Sequence, residues 1–361
     1  MSACPEKSTL IYASEELIQR VFFSVVKVGD IMSGVSLFIA LFGVLANSTF
    51  LMTVYRVPEM RTITNFYLVN LAISDMIFII TNTAGFIYPR PYFIARIPQT
   101  QIGCILFFFP VYLAYFASIG MVTLVSLERF LAICYPLKHR MINSKSRTIV
   151  LVTVTWSSAA ILAALQIPGI GAEVAMTCIV WPAKYRQMFP TVISTCGSIS
   201  SVMTNILGIT TLTLFIVVIL CNATFYTMII RRLGHRELTP EINREVQNHN
   251  QNVRNSVARM LILNGVTFLV LLSVYQCISL YVKIKYKGYG TLSPITTHQE
   301  LIIGWSGILM SKFNSAINPV IYSMSNSRYR KAFGRAIKCW SENISTDEPC
   351  AKSDTKNEIE M

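Results

Sequence analysis

Long apolar runs separated by short polar stretches dominate the chain. Each run has roughly 20 or more mainly apolar residues, enough for a helix to cross about 30 Å of hydrocarbon. The runs lie near 31–55, 63–88, 104–134, 148–167, 203–230, 258–282 and 301–324. Backbone polar groups inside a bilayer must be satisfied within each span, so the runs predict helices. The sequence therefore predicts an all-α membrane protein built as a seven-transmembrane helix bundle.

The segments outside the runs are polar or amphipathic. Residues 1–30 are expected to form an extracellular N-terminus before the bundle of residues 31–324. Residues 325–339 combine basic and apolar positions, which predicts a short amphipathic helix 8 lying at the membrane surface. Residues 340–361 are predicted to be a disordered cytoplasmic tail because they are polar throughout.

Composition and charge narrow the class of protein. The chain is 53% hydrophobic and 14% charged, whereas a soluble domain carries about 25% charged residues. The net charge of +13 comes from basic residues in short tracts between the runs, which favours topological charge over nucleic-acid binding. Most of these tracts fall on one side, so we expect a plasma-membrane protein with its N-terminus outside and its C-terminus in the cytoplasm. The nine cysteines form no CxxC pair, and no metal site is predicted from them.

Short motifs within the runs carry the first functional information. They are Gly43 and Asn47 in the first run, Asp75 in the second, Glu128 and Arg129 in the third, Trp156 in the fourth, and Asn318, Pro319 and Tyr322 in the seventh. Across residues 31–335 this order resembles the rhodopsin-like family of G protein-coupled receptors. The resemblance implies a receptor rather than an enzyme. It implies a heterotrimeric G protein as partner, with arrestin and a receptor kinase as further partners and membrane lipids around the bundle.

Charged residues inside the runs are expected to act in switching. Arg129 can pair with Glu128 at rest and release its guanidinium when the bundle opens; an arginine that snorkels to the interface is the alternative. A carboxylate at the depth of Asp75 costs about 2.5–3.5 kcal/mol, so it should be paired or hydrated. The resemblance implies a sodium or water pocket there with Ser118 and Asn314, and a protonated structural aspartate is the alternative.

The cysteines are expected to have separate roles. The resemblance implies a disulfide between Cys104 and Cys178, which the oxidising exterior preserves. Cys339, at the end of the amphipathic stretch, is a candidate lipidation site that would pin helix 8 to the membrane. Small core residues are predicted at Cys134, Cys196, Cys221 and Cys277.

Lys312 is the most informative single residue. It lies about 18 Å along the seventh run, near the bilayer centre, where burial favours a neutral, nucleophilic amine suited to a Schiff base. Residue chemistry alone leaves a structural or ion-paired lysine open. The run from Ser311 to Pro319, however, resembles the seventh-helix signature of opsins. That resemblance implies retinal, 11-cis or all-trans, as the cofactor.

Aromatic and apolar positions on other runs are consistent with a chromophore pocket. The candidate cofactor-binding residues besides Lys312 are Val111, Tyr115, Phe215, Phe268 and Tyr275. The tryptophan and proline usual in the sixth helix are replaced by Leu272 and Val274. Without proline that helix lacks its usual kink.

A protonated Schiff base needs a counterion, and Glu173 is the candidate. It lies five residues before Cys178, one residue from the place that many opsins use. An ordinary solvated loop acid, a bound inorganic anion such as chloride, or an unprotonated Schiff base remain as alternatives.

Together these features predict a light-sensing opsin that activates a G protein in phototransduction. Two other functions stay open. One is a retinal photoisomerase, and the other is a receptor for a diffusible ligand in which Lys312 is unmodified.

Overall fold

The computed structural model describes residues 9–15, 18, 23–84, 100–171, 173–187, 191–237, 245–285 and 298–342. Its long helices are α1 (Phe23–Arg56), α2 (Ile63–Ala84), α3 (Gln101–Cys134), α4 (Lys145–Ile170), α5 (Ser201–Glu237), α6 (Glu245–Lys285), α7 (His298–Ser325) and α8 (Ser327–Glu342). A short helix, Pro136–Ile142, connects α3 to α4, and a single 3-10 turn, Pro58–Met60, follows α1. The seven predicted spans correspond in order to α1–α7, and α1 begins eight residues earlier than the sequence predicts.

Helix α7 differs from the other spans in polarity and not in length. Within the described ranges, α1 to α6 contain segments long and apolar enough to cross a membrane. Helix α7 has 28 residues, which is also long enough, but it is more polar because it carries Lys312, Asn314 and Asn318. All three of these side chains are buried inside the bundle, so their polarity is directed at other helices and away from lipid.

Local sequence signals set several helix ends. Thr100 caps α3 by accepting a hydrogen bond from the Gly103 backbone N–H at 3.1 Å, and Ser144 caps α4 in the same way from Arg147 at 3.2 Å. Helix α3 ends at Cys134, because Tyr135 precedes a proline and has left the helical conformation, with φ −130° and ψ 61°.

The bundle packs around α3 and α7. Helix α3 contacts α2, α4 and α5, and α7 contacts α1, α2 and α6. At one close approach a Cβ on Gly43 of α1 would lie 2.6 Å from Ile79 Cδ1 and 2.9 Å from Ala316 Cβ. Only glycine permits this spacing between α1, α2 and α7.

A three-stranded sheet lies at one end of the bundle, which we call the sheet end. Strand β1 (Thr9–Tyr12) runs parallel to β2 (Glu173–Val180), and β2 runs antiparallel to β3 (Val192–Gly197). The pairing brings the N-terminal segment onto the loop between α4 and α5. Five side chains form a separate core where these segments meet: Ala13, Ile18, Ile179, Trp181 and Tyr185.

The disulfide at the sheet end corrects the predicted pairing. Cys104 of α3 is bonded to Cys196 of β3, which was predicted to be a small core residue. Gly171, just before β2, lies against the Cys104 carbonyl, and Val174 pairs with Cys196 across the hairpin. Cys178 lies four residues further along β2, about 13 Å away. It is itself disulfide-bonded, but not to Cys104.

Candidate functional site

Aromatic side chains from α3, α5 and α6 form a buried cluster between the helices. Tyr115, Phe116, Phe215 and Phe268 are buried in one core, and Val111, Tyr112 and Tyr275 pack against it. The five predicted pocket residues other than Lys312 therefore belong to one continuous core that runs through the bundle. Sequence reasoning missed Gln276, whose Nε2 donates a hydrogen bond to the Tyr115 hydroxyl between α6 and α3.

Lys312 lies on a different side of the bundle from most of that cluster. Its side chain is fully buried. Its Nζ donates to Ser36 Oγ on α1 at 2.5 Å and to the Asn82 carbonyl on α2 at 3.2 Å. The Nζ atom is thus held toward α1 and α2, whereas α3, α5 and α6 build the aromatic cluster.

Glu173 does not have the position expected of a counterion. It begins β2 and is exposed. Its assignment depended on Cys178 being the loop cysteine bonded to α3, and Cys196 has that role. The spacing argument for Glu173 is therefore wrong.

Asp75 is the centre of a buried polar network in the middle of the bundle. Its carboxylate accepts hydrogen bonds from Ser118 Oγ at 3.0 Å and Asn318 Nδ2 at 2.6 Å, which joins α2 to α3 and α7. Ser74 lies 2.9 Å from the same Ser118 hydroxyl. Asn314 is buried too, and its Oδ1 has no hydrogen-bond partner among the described residues. These oxygen atoms are of the type that hard cations prefer.

Glu128 is paired differently from the prediction. Its Oε1 lies 2.6 Å from His139 Nε2, and its Oε2 accepts from Arg147 at 3.4 Å. Adjacent residues on a helix do not face each other, so the carboxylate contacts the short helix and α4 instead of Arg129. Arg129 keeps a buried Nε with no hydrogen-bond partner within the described chain.

Two buried tyrosines, Tyr226 of α5 and Tyr322 of α7, contact neighbouring helices. Tyr226 of α5 lies 2.7 Å from Ser126 Oγ of α3, and its hydroxyl occupies the space where a Cβ on Gly265 of α6 would be. Tyr322 of α7 is buried and packs edge-on against Phe50 at 5.4 Å. The motif of the seventh run located Tyr322, but neither Tyr226 nor Gly265 belongs to a motif in the sequence.

Helix α8 is joined to the end of the bundle opposite the sheet. The Tyr329 hydroxyl donates to Asn65 of α2, and Arg328 donates to the Glu59 carbonyl at 2.6 Å. Burial raises the pKa of Tyr329 to about 12, so the phenol keeps its proton and its hydrogen bond. Cys339 lies within α8, but its side chain is outside the described part of the chain.

Comparison with known proteins defines the class of this fold and site. The family described as "7 transmembrane receptor (rhodopsin family)" matches residues 46–322. The chain therefore belongs to this family of G protein-coupled receptors, which are not enzymes, and G protein coupling follows from that membership.

Among its relatives are named receptors. The chain is 26% identical to the neuromedin-U receptor 2 of Rattus norvegicus over 83% of its length and 73% of the relative's. It is 25% identical to the human growth hormone secretagogue receptor type 1, over 90% of this chain and 84% of the relative. Their names describe receptors for neuromedin U and for growth hormone secretagogues, and neither name describes an opsin.

Proposed function

We propose that this protein is a receptor for a diffusible peptide ligand that signals through a heterotrimeric G protein. The observation that carries the proposal is the disulfide-anchored sheet at the sheet end. Exposed backbone edges and alternating side chains of a sheet are features that recognise extended peptides. The relatives named as receptors for neuromedin U and for growth hormone secretagogues support a diffusible ligand, and they favour it over light sensing.

One face of the sheet offers apolar contacts to such a ligand. Leu10 and Tyr12 alternate along β1 and share a face, and Val180 pairs with Tyr12 on the neighbouring strand. Leu10 is 49% exposed, Tyr12 73% and Val180 36%. A partly exposed tyrosine on a rigid support is a typical energetic anchor in protein interfaces.

Retinal is a second candidate, because Lys312 is buried at the depth that a Schiff-base lysine requires. In this conformation its Nζ is hydrogen-bonded on the α1 and α2 side. A bond to a chromophore among Val111, Tyr115, Phe215, Phe268 and Tyr275 requires the side chain to leave those partners. We therefore rank the peptide ligand first, with Lys312 as a fixed contact between α1, α2 and α7.

Further features of the proposed receptor follow the topology expected from the sequence. The sheet end faces outward, which agrees with the disulfides found there, and α8 lies at the cytoplasmic surface. We propose lipidation of Cys339, recruitment of arrestin after a kinase acts on the tail, and a sodium ion or water beside Asp75, Ser118 and Asn314.

Nucleotide exchange on purified G proteins tests whether a peptide ligand binds this face of the sheet. The full-length receptor is exposed in the dark to a library of secreted peptides that includes neuromedin U. We expect at least one peptide to stimulate exchange, and Tyr12→Ser to raise its half-maximal concentration about tenfold, the effect of losing about 1.4 kcal/mol.

The matched control for that variant is Tyr55→Ser at the opposite end of α1. Tyr55 is 70% exposed but lies far from the sheet, so its variant should respond like the native receptor. Equal potency in Tyr12→Ser and the native receptor would contradict a peptide contact on this face.

A further inference from the structure

A hydrogen bond between Gln276 and Tyr115 connects α6 to α3, the helix from which α6 must separate if it moves. Gln276 of α6 is 8% exposed and Tyr115 of α3 is 9% exposed, and the amide Nε2 donates to the phenol oxygen. No other side-chain hydrogen bond joins α3 to α6 among the residues that the structure describes. The hydrogen bond lies within the aromatic cluster. In the α6 sequence, Gln276 directly follows Tyr275 and comes eight residues after Phe268.

Helix α6 contains neither a proline nor a tryptophan. It runs without a proline over all 41 residues, so no backbone hydrogen bond is missing at Val274 to form a hinge. Leu272, in place of the tryptophan, is an apolar side chain buried at 3% exposure, and it cannot form a directional contact with a ligand. Gln276, four residues further along α6, is a buried polar side chain near this level and can form a directional contact.

Resting on the proposed function, we propose that the Tyr115–Gln276 hydrogen bond holds α6 against α3 in the resting receptor and that an agonist releases it. The chemistry suits a peptide, because each backbone carbonyl is an acceptor that can compete for the Gln276 amide. Release leaves the phenol free to bond the ligand or water. The Tyr115 hydroxyl and Gln276 are thus positioning groups that link ligand binding to α6.

A second buried glutamine provides the matched control. Gln166 of α4 is 7% exposed and donates to Thr211 Oγ1 of α5 at 3.0 Å. It has the same residue type, burial and kind of partner as Gln276, but it joins a different pair of helices. Its loss removes a comparable hydrogen bond without releasing α6 from α3.

The test uses full-length receptor without any ligand. Spin labels are attached through Ser146→Cys on α4 and Arg259→Cys on α6, both exposed positions, in a receptor whose Cys134, Cys221, Cys277, Cys339 and Cys350 are replaced by serine. The distance distribution between the labels is measured by electron paramagnetic resonance. Tyr115→Phe and Gln276→Leu should each increase the population with α6 displaced by about three- to tenfold, the effect of one net hydrogen bond. The double variant should exceed neither single variant, because both remove the same bond.

The outcomes separate this inference from the proposed function. An unchanged distance distribution in Tyr115→Phe and Gln276→Leu overturns the inference, as does an equal shift in Gln166→Leu. A shift confined to the first two variants supports it. Because this readout needs no G protein and no peptide, a failure to find an activating peptide counts only against the proposed function.

Discussion

Receptor carrying Cys196→Ser is expected to lose much of its stability. The Cys104–Cys196 bond spans 92 residues, and closing a loop of that length removes about 4.6 kcal/mol of chain entropy from the unfolded state. The inserted spans α3 and α4 already restrict that state, so we expect a net loss of about 2–4 kcal/mol. The thermal unfolding midpoint of the purified receptor should fall by about 3–5 °C.

The cysteine variants also test which residues are paired. Cys104→Ser should match Cys196→Ser, and the double variant should be no less stable than either, because all three lack one and the same bond. Cys221→Ser, at an exposed free cysteine, is the control and should leave the midpoint unchanged. The pairing would be contradicted if the stability losses of Cys104→Ser and Cys196→Ser added in the double variant while those of Cys104→Ser and Cys178→Ser did not.

Asp75→Ala is the second variant with a large expected effect. It removes the acceptor for Ser118 and Asn318 in a fully buried site. An unsatisfied buried donor costs about 1–3 kcal/mol, and interhelical hydrogen bonds in membranes fall at the lower end of that range. We therefore expect about 2–3 kcal/mol of destabilisation, measured as a lower unfolding midpoint.

Asp75→Asn is the matched control because it keeps the side chain's shape and one acceptor oxygen. It should recover more than half of the stability lost in Asp75→Ala. If the two variants unfold at the same temperature as the native receptor, the hydrogen bonds of Asp75 do not stabilise the contact between α2, α3 and α7.

The helices are predictable because each one depends on the length and hydropathy of its own segment. Span length and hydropathy predicted seven helices, and the structure has α1 to α7 in those places. The eighth, α8, could be predicted from the basic and apolar residues after Ser325. The sheet was missed because β1 pairs with a strand more than 160 residues away in sequence, and no local pattern encodes such a partner.

The candidate site was predictable as a set of residues but not in its pairings. Asp75 meets Ser118 as expected, and Asn318 also donates to its carboxylate. The disulfide and the Glu128 contact depend instead on the hairpin and on the short helix that carries His139, which only the tertiary structure defines. The opsin interpretation of Lys312 relied on spacing within one helix, and spacing does not show that Nζ is bonded to Ser36 and Asn82 on neighbouring helices.

A single measurement distinguishes activation by a diffusible ligand from activation by light. Nucleotide exchange on purified G proteins is followed with native receptor and Lys312→Ala after incubation with 11-cis-retinal, in darkness and under illumination. We predict that illumination changes exchange in neither protein. Light-driven exchange by the native receptor that Lys312→Ala lacks would contradict the account and establish a retinal pigment.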